Sequence, residues 1–278
     1  MTVDGVELCL EPFGDPAHPT LLLVAGAASS MDWWEPEFCE RLAATGRQVV
    51  RYDHRDTGRS SSFPPGAPTY TFNDLGDDVL RVLDALDVDS AHLAGMSMGG
   101  AMAQVVAATR PERVRTLTLL STSFAGERAD PTELPGMDPS LRERFQAPPT
   151  DPDWADPASV LDRMVEDLRP YAGSLGFDEE RTRRIGRTVI ARTRDMASSA
   201  GNHWILQGED VPFKMAGIAV PTLVLHGTDD PMFPLAHGEA LAREIPDARL
   251  VPMPGVGHEA PPPPVWDLVV AEIAKHTA

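Results

Sequence analysis

The feature of this sequence that most constrains its fold is the alternation of short apolar runs with helical patterns. The runs are short and mostly apolar, as expected of strands buried on both faces of a sheet. They cover residues 20–24, 48–52, 91–94, 114–120, 222–226 and 249–253. Between residues 72 and 86 apolar residues recur at helical spacing, and Thr71 followed by Asp74 is typical of a helix start. The alternation predicts an α/β fold with a mostly parallel central sheet flanked by helices.

The alternation stops between residues 123 and 214. This segment, which we call the insertion, is rich in proline and charge, has no strand-like run, and includes amphipathic stretches over residues 160–168 and 179–197. Further helical patterns follow it at residues 236–245 and 265–275. The sequence therefore predicts a core domain made of residues 1–122 and 215–278, interrupted by a mainly helical insertion.

Charge and composition exclude several classes of function. The chain has 42 acidic and 24 basic residues, a formal net charge of −18. Affinity for nucleic acids or anionic membranes depends on clustered Lys and Arg, so we expect neither as a partner. The N-terminus does not resemble a signal peptide and no run is long enough to span a membrane, so we expect a cytoplasmic protein. Cys9 and Cys39 form no CxxC pair and are expected to be reduced, packed thiols.

The clearest chemical motif is Gly95-Met96-Ser97-Met98-Gly99, between a strand-like run and a helical segment rich in small residues. That context is required before a G-x-S-x-G match indicates a nucleophile on a sharp turn. Glycines at both ends remove side chains that would collide across the turn. The Met98 N–H is then placed at a helix N-terminus, where it can donate to an oxyanion. We predict that Ser97 is a nucleophile.

A serine nucleophile needs a general base, usually a histidine oriented by a carboxylate. Of the eight histidines, only His258 lies in a glycine-bracketed loop after the last strand-like run. Asp229 and Asp230 follow the run at residues 222–226. We favour Asp230 as the acid, because its spacing from Gly227 and the proline after it match the usual acid turn. Asp229 is the alternative; otherwise it is a turn residue that accepts backbone hydrogen bonds.

The loop after the first strand-like run supplies a second candidate oxyanion donor. Residues 25–30 read AGAASS, and side chains this small let the backbone approach a reacting carbonyl. We predict the Ala27 N–H as this donor, beside the Met98 N–H. Bulky apolar side chains are candidates for substrate contact: Trp33, Met164, Tyr171, Trp204, Phe213 and Met215. We expect no metal and no organic cofactor.

Four motifs, GMSMGG, HGTDDP, GVGH and RYDHRDTGRS, together resemble the α/β-hydrolase superfamily over essentially the whole chain. RYDHRDTGRS and the small-residue loop are most similar to the aclacinomycin methylesterase type of streptomycetes. The resemblance implies an α/β-hydrolase fold in which residues 123–214 form a cap over the pocket. It also implies a catalytic triad and an oxyanion hole, made of Ser97, His258 and Asp230, and of the Ala27 and Met98 backbone. This chain departs from the family at its oxyanion loop, where the common His-Gly is Ala25-Gly26.

The predicted function is hydrolysis of a small-molecule carboxylic ester through an acyl-enzyme. The substrate is expected to be apolar or bulky, for example the methyl ester of a natural product. Two other activities use the same triad, namely a cofactor-free haloperoxidase or perhydrolase and a C–C bond hydrolase. A ligand-binding protein on the same fold is the non-enzymatic alternative.

Overall fold

A computed structural model describes residues 2–3, 5–146, 151–208 and 211–278 of the chain. The strands are β1 (Thr2–Val3), β2 (Val6–Glu7), β3 (Leu10–Phe13), β4 (Thr20–Val24), β5 (Gln48–Tyr52), β6 (Ala91–Met96), β7 (Val114–Leu120), β8 (Thr222–Gly227) and β9 (Arg249–Met253). Seven of them form one sheet in the order β3-β5-β4-β6-β7-β8-β9, in which only β3 runs antiparallel to its neighbour. All six predicted strands are confirmed, with β6 two residues longer and β8 one residue longer than expected.

Helices cover both faces of the sheet. They are α1 (Pro36–Ala43), α2 (Phe72–Ala85), α3 (Met98–Thr109), α4 (Pro139–Gln146), α5 (Pro157–Leu168), α6 (Glu179–Arg192), α7 (Met196–Gly201), α8 (Ala236–Glu244) and α9 (Trp266–His276). Side chains of β4 alternate between two hydrophobic clusters: Leu22 and Val24 pack with α2, α3 and α8, whereas Leu21 and Leu23 pack with α1 and α9. This alternation explains why β4 is apolar on both of its faces.

The start of α2 follows the predicted capping pattern. The Thr71 hydroxyl accepts a hydrogen bond from the Asp74 N–H at 3.2 Å, and the Asp74 carboxylate accepts one from the Thr71 N–H at 2.8 Å. Two amide groups that a helix leaves unpaired at its first turn are thereby satisfied. The apolar face of α2 then packs against the sheet through Leu75, Val79 and Val82.

The insertion lies between β7 and β8 and contains α4, α5, α6 and α7. The prediction of one helical stretch over residues 179–197 is wrong. Helix α6 ends at Arg192, and the next helix begins only at Met196. The reason is local, because the Asp195 carboxylate accepts a hydrogen bond from the Ser198 N–H at 2.9 Å and so starts a new helix.

Buried ion pairs join α6 of the insertion to the segments that follow β4 and β5. Arg181 Nε lies 2.6 Å from a carboxylate oxygen of Glu35, and both side chains are almost fully buried. Further along the helix, Arg192 pairs with Asp53 at 2.8 Å and also with Asp32. Charged groups are rarely buried unless they are paired in this way. The packing of α6 is therefore fixed by charge as well as by apolar contact.

Two other expectations concern the whole chain. No helix in the described ranges is long and apolar enough to cross a membrane. Cys9 and Cys39 are both free thiols, the first half-buried and the second buried. Burial raises the pKa of the Cys39 thiol to about 12.

Candidate active site

Ser97 lies on a sharp turn between β6 and α3. Its backbone has φ of 51° and ψ of −119°, in the left-handed half of conformational space that few non-glycine residues occupy. A Cβ atom added to Gly95 would overlap the carbonyl oxygen of Gly99, and one added to Gly99 would overlap that of Val24. The two glycines are therefore needed for the close approach of strand, turn and helix. The turn presents the Ser97 hydroxyl at the carboxyl edge of the sheet.

His258 connects Ser97 to a buried carboxylate. Its Nε2 atom lies 3.0 Å from the Ser97 Oγ, and its Nδ1 atom lies 2.9 Å from the Asp230 Oδ2. Because a carboxylate only accepts, Nδ1 carries the proton and Nε2 is free to accept one from the Ser97 hydroxyl. The other carboxylate oxygen of Asp230 accepts hydrogen bonds from the Met232 and Phe233 N–H groups, at 2.9 and 2.8 Å. This arrangement can draw a proton from Ser97.

The surroundings of Asp230 keep its carboxylate charged, as is required of a group that orients the His258 ring. Burial of this carboxylate raises its pKa, but the facing His258 ring and the hydrogen bonds from His258 and Phe233 outweigh burial and hold the pKa below its usual range. His226 lies 3.7 Å from the same carboxylate and donates instead to the Phe233 carbonyl oxygen at 2.6 Å. Burial lowers the pKa of His226, so this ring is neutral at pH 7.

Asp229, the alternative acid, points to a different partner. One of its carboxylate oxygens accepts a hydrogen bond from the Ser174 N–H at 3.0 Å, and the other accepts one from the Thr228 hydroxyl at 2.9 Å. These hydrogen bonds lower the pKa of Asp229. The structure thus brings Asp230, and not Asp229, to the imidazole of His258.

The loop at residues 25–30 passes directly beside Ser97. A Cβ atom on Gly26 would lie 3.5 Å from the Ser97 Cβ, which is ordinary contact distance. Within the described part of the chain, neither the Ala27 nor the Met98 amide donates a hydrogen bond to a backbone carbonyl. Ala27 follows Gly26, which contacts Ser97, and Met98 follows Ser97 in the chain, so both amides remain the candidates for binding an oxyanion.

Sequence reasoning missed two histidines that contact this loop. His54 Nε2 lies 3.0 Å from the Ala25 carbonyl oxygen, and His203 Nδ1 accepts a hydrogen bond from the Ala28 N–H at 2.9 Å. The position of His54 in the RYDHRDTGRS motif was a signal that it lies near the site. No signal in the sequence pointed to His203, because it lies 175 positions from its partner.

The insertion also packs against the loop that carries His258. The Tyr171 carbonyl oxygen accepts a hydrogen bond from the His258 N–H at 2.8 Å, and the Tyr171 ring lies 5.9 Å from the imidazole. The Leu175 N–H donates to the Gly255 carbonyl oxygen at 3.0 Å. A Cβ atom on Gly257 would overlap the Tyr171 carbonyl oxygen, so this contact requires glycine. The position of the imidazole therefore depends on the insertion.

The predicted substrate-contact residues lie in different surroundings. Trp33 is half-buried in a short turn after the loop at residues 25–30. Trp204 is 51% exposed and its ring meets that of Phe145 edge-on at 5.7 Å. Met215, in contrast, is fully buried in the hydrophobic cluster of α2, α3 and α8, where it supports the fold and not a pocket. Apolar composition alone does not separate a core methionine from one that lines a pocket.

A metal site is not evident in the same region. Among the residues that the structure describes, no three His, Cys, Asp or Glu side chains are grouped so as to hold a metal ion.

Comparison with known proteins gives similarity over the whole chain. A family model described as the alpha/beta hydrolase fold matches residues 19–262. The chain is 36% identical to rhodomycin D methylesterase DauP of Streptomyces sp. strain C5 and 35% identical to rhodomycin D methylesterase DnrP of Streptomyces peucetius, with 100% of this chain and 97% of each relative covered. The solved structure of the enol-lactonase from Burkholderia xenovorans LB400 is similar with a TM-score of 0.73 and 25% identity, covering 99% of this chain and 97% of that one.

Proposed function

The chain belongs to the α/β-hydrolase family, and from this membership we propose that it hydrolyses a carboxylic ester with Ser97 as the nucleophile. The observation that carries the proposal is the hydrogen-bonded series from Ser97 through His258 to Asp230, with distances of 3.0 and 2.9 Å. A serine hydroxyl alone is a weak nucleophile at neutral pH, and this series supplies the base that it needs.

In the first half of the reaction the Ser97 Oγ attacks the acyl carbon while His258 Nε2 takes the hydroxyl proton. The charged Asp230 carboxylate stabilises the imidazolium that forms. The negative oxygen of the tetrahedral intermediate accepts hydrogen bonds from the Ala27 and Met98 N–H groups. The carbon–oxygen bond to the alcohol then breaks, His258 donates its proton to the departing alkoxide, and an acyl group remains on Ser97.

Water completes the cycle. His258, neutral again, takes a proton from a water molecule, whose oxygen attacks the acyl carbon of the acyl-enzyme. The same two N–H groups hold the second tetrahedral intermediate. Its collapse breaks the bond to the Ser97 Oγ, which regains a proton from His258, and a carboxylic acid leaves. Atoms and protons balance with water as the only co-reactant.

We propose that the enzyme prefers esters with a small alcohol and a bulky acyl group. Two full-length relatives are named methylesterases, which supports methanol as the leaving alcohol. The insertion supplies Tyr171 beside the His258 ring, which supports an apolar acyl site formed between insertion and core. We propose accordingly that the insertion is a cap on the core domain.

A panel of matched esters tests this proposal. Methyl, ethyl and butyl esters of one polycyclic aromatic acid vary the alcohol alone, and methyl esters of acetic, benzoic and polycyclic acids vary the acyl group alone. We expect the highest kcat/KM for the polycyclic methyl ester, with Ser97→Ala as the blank. Equal or higher activity on the butyl ester would contradict the specificity. Peroxide-dependent halogenation that exceeds every ester rate would contradict the proposed reaction.

A further inference from the structure

The loop that carries Ala27 is held from within by Ser29: the Ser29 N–H donates to the Gly26 carbonyl oxygen at 3.3 Å, and the Ser29 hydroxyl donates to the Ala27 carbonyl oxygen at 3.2 Å. Its residues are small, and Ala25 offers no side-chain hydrogen bond. Ala28 has a φ of 55°, in the left-handed region that non-glycine residues occupy only when their surroundings impose it. The hydrogen bonds of Ser29 do not involve the Ala28 amide, whose partner lies outside the loop.

Two buried histidines fix the loop on either side of Ala27. On the N-terminal side, His54 Nε2 donates to the Ala25 carbonyl oxygen at 3.0 Å. On the C-terminal side, the Ala28 N–H donates to His203 Nδ1 at 2.9 Å. The two imidazole rings lie edge to face with their centres 6.0 Å apart. Gly26 and Ala27 thus lie between two anchored residues, Ala25 and Ala28.

The hydrogen bonds of His203 define its protonation state. Its Nε2 atom lies 2.8 Å from the Arg55 carbonyl oxygen, which only accepts, so Nε2 carries the proton. Nδ1 is then free to accept from Ala28. Burial lowers the pKa of His203 to about 4, so the ring stays in this neutral form at neutral pH. His203 is consequently fixed in orientation and in tautomer.

We propose that His203 is a positioning residue for the oxyanion hole: by holding the Ala28 amide it directs the neighbouring Ala27 N–H toward the reacting carbonyl. This inference rests on the proposed esterase function. His203 belongs to the insertion, in the short turn Asn202–Ile205, so the insertion sets the geometry of a catalytic loop of the core.

The proposal predicts a loss in the chemical step and not in substrate binding. Oxyanion donors act mainly in the transition state, so their misplacement lowers kcat with little change in KM. Loss of a whole donor costs about 10²–10³ in turnover, and a displaced donor less. For a loop that has lost one of its two anchors we expect a reduction of about 10–100-fold.

Two substitutions at the same position separate positioning from general stability. In His203→Asn the side-chain oxygen takes the place of Nδ1 and can still accept from the Ala28 N–H. In His203→Gln the polar group lies at the place of Nε2, so the contact with Arg55 can form but that with Ala28 is lost. A matched control is His92→Gln, at a buried histidine in β6 that bonds the Thr116 hydroxyl at 3.0 Å.

The measurements are kcat and KM on a methyl ester, the inhibition constant of a trifluoromethyl ketone whose adduct places an oxyanion in the hole, and the melting temperature. We expect His203→Gln to lose about 10–100-fold in kcat and in ketone affinity, with KM within about threefold. We expect His203→Asn to recover most of that loss, and His92→Gln to alter only the melting temperature.

Three results would overturn the inference. The first is a kcat for His203→Gln equal to that of the wild type. The second is an equal loss in the Asn and Gln variants that follows their melting temperatures. The third is a wild-type enzyme without Ser97-dependent hydrolysis, which would also overturn the proposed function and is thereby distinguished from the first two.

Discussion

The Asp230 carboxylate lies 2.9 Å from the Nδ1 atom of His258, although the two residues are 28 positions apart and an equally charged residue is next to Asp230 in the chain. Asp229 instead binds the Ser174 N–H of the insertion. The turn after β8 therefore separates two adjacent carboxylates, one toward the imidazole and one toward the insertion.

This separation predicts different outcomes for two similar substitutions. Asp230→Asn removes the charge that stabilises the imidazolium and favours the wrong tautomer of His258, so kcat should fall by about 10³–10⁴. Asp229→Asn keeps an acceptor for Ser174 and should lower kcat by less than about tenfold. Steady-state hydrolysis of a methyl ester measures both. Comparable losses in the two variants would assign the wrong acid.

Substitution of two glycines should change stability in opposite directions. A Cβ atom on Gly95 overlaps the Gly99 carbonyl oxygen, so Gly95→Ala should lower the free energy of unfolding by about 3 kcal/mol. Gly76 lies inside α2 with nothing within 4 Å of an added Cβ, and Gly76→Ala should raise it by about 0.5–1 kcal/mol. Urea denaturation measures the difference. A Gly95→Ala protein as stable as the wild type would contradict the close packing of the turn.

The buried pair of Arg181 and Glu35 should be important for stability. Arg181→Met leaves the buried Glu35 carboxylate with the largely exposed Arg184 as its remaining charged partner, at a cost of about 3 kcal/mol in the free energy of unfolding. Adding Glu35→Gln should recover part of that loss, because the buried charge that has lost its buried partner is then removed. Arg41, whose partners Glu37 and Asp267 are exposed, is the matched control, and Arg41→Met should leave the melting temperature unchanged. Equal melting temperatures for Arg181→Met and Arg41→Met would refute this reading.

Stability should fall in mildly acidic solution, in part because of His92. Burial, followed by the nearby Arg47, Arg115 and His276, lowers the pKa of His92 to about 4. The unfolded chain binds a proton there at about pH 6.5, so between pH 6.5 and 4 it holds more protons than the folded protein, and the free energy of unfolding decreases as the pH falls. His92→Gln should reduce this dependence by up to about 1.4 kcal/mol per pH unit. Urea denaturation at pH 7, 6 and 5 measures it, and identical slopes in both proteins would exclude the effect.

Much of the fold follows from local sequence patterns, and the exceptions have physical reasons. Five of the six predicted strands were recognisable because both of their faces are buried and favour apolar side chains, and the sixth, β9, keeps a mostly apolar sequence although it lies half-buried at the sheet edge. Strand β3 was not, since its sequence, LEPF, includes a glutamate and a proline, which the edge position of this strand accommodates. The end of α6 at Arg192 was missed because Asp195 reads as one more polar helical residue until its capping hydrogen bond is seen.

The site likewise contains residues that local sequence patterns predict and residues that they do not. Ser97 and His258 are marked by glycines next to them in the sequence, so a local pattern was sufficient to select them. The choice of Asp230 over Asp229 depended on its spacing from Gly227 and on the proline that follows it. The structure adds the contact with His258 that distinguishes the two carboxylates. His203 and Tyr171 reach the site from the insertion through contacts between distant parts of the chain. Periodicity and motif spacing carry no information on such contacts.

Covalent labelling of Ser97 tests the central claim most directly. A fluorophosphonate reacts with a serine only when a base and an oxyanion site activate it, so we expect one adduct per chain on the peptide that contains Ser97, with ester hydrolysis lost in proportion to labelling. Ser97→Ala should show neither adduct nor hydrolysis. An adduct on another residue, or a Ser97→Ala protein that hydrolyses the methyl ester at the wild-type rate, would contradict the account.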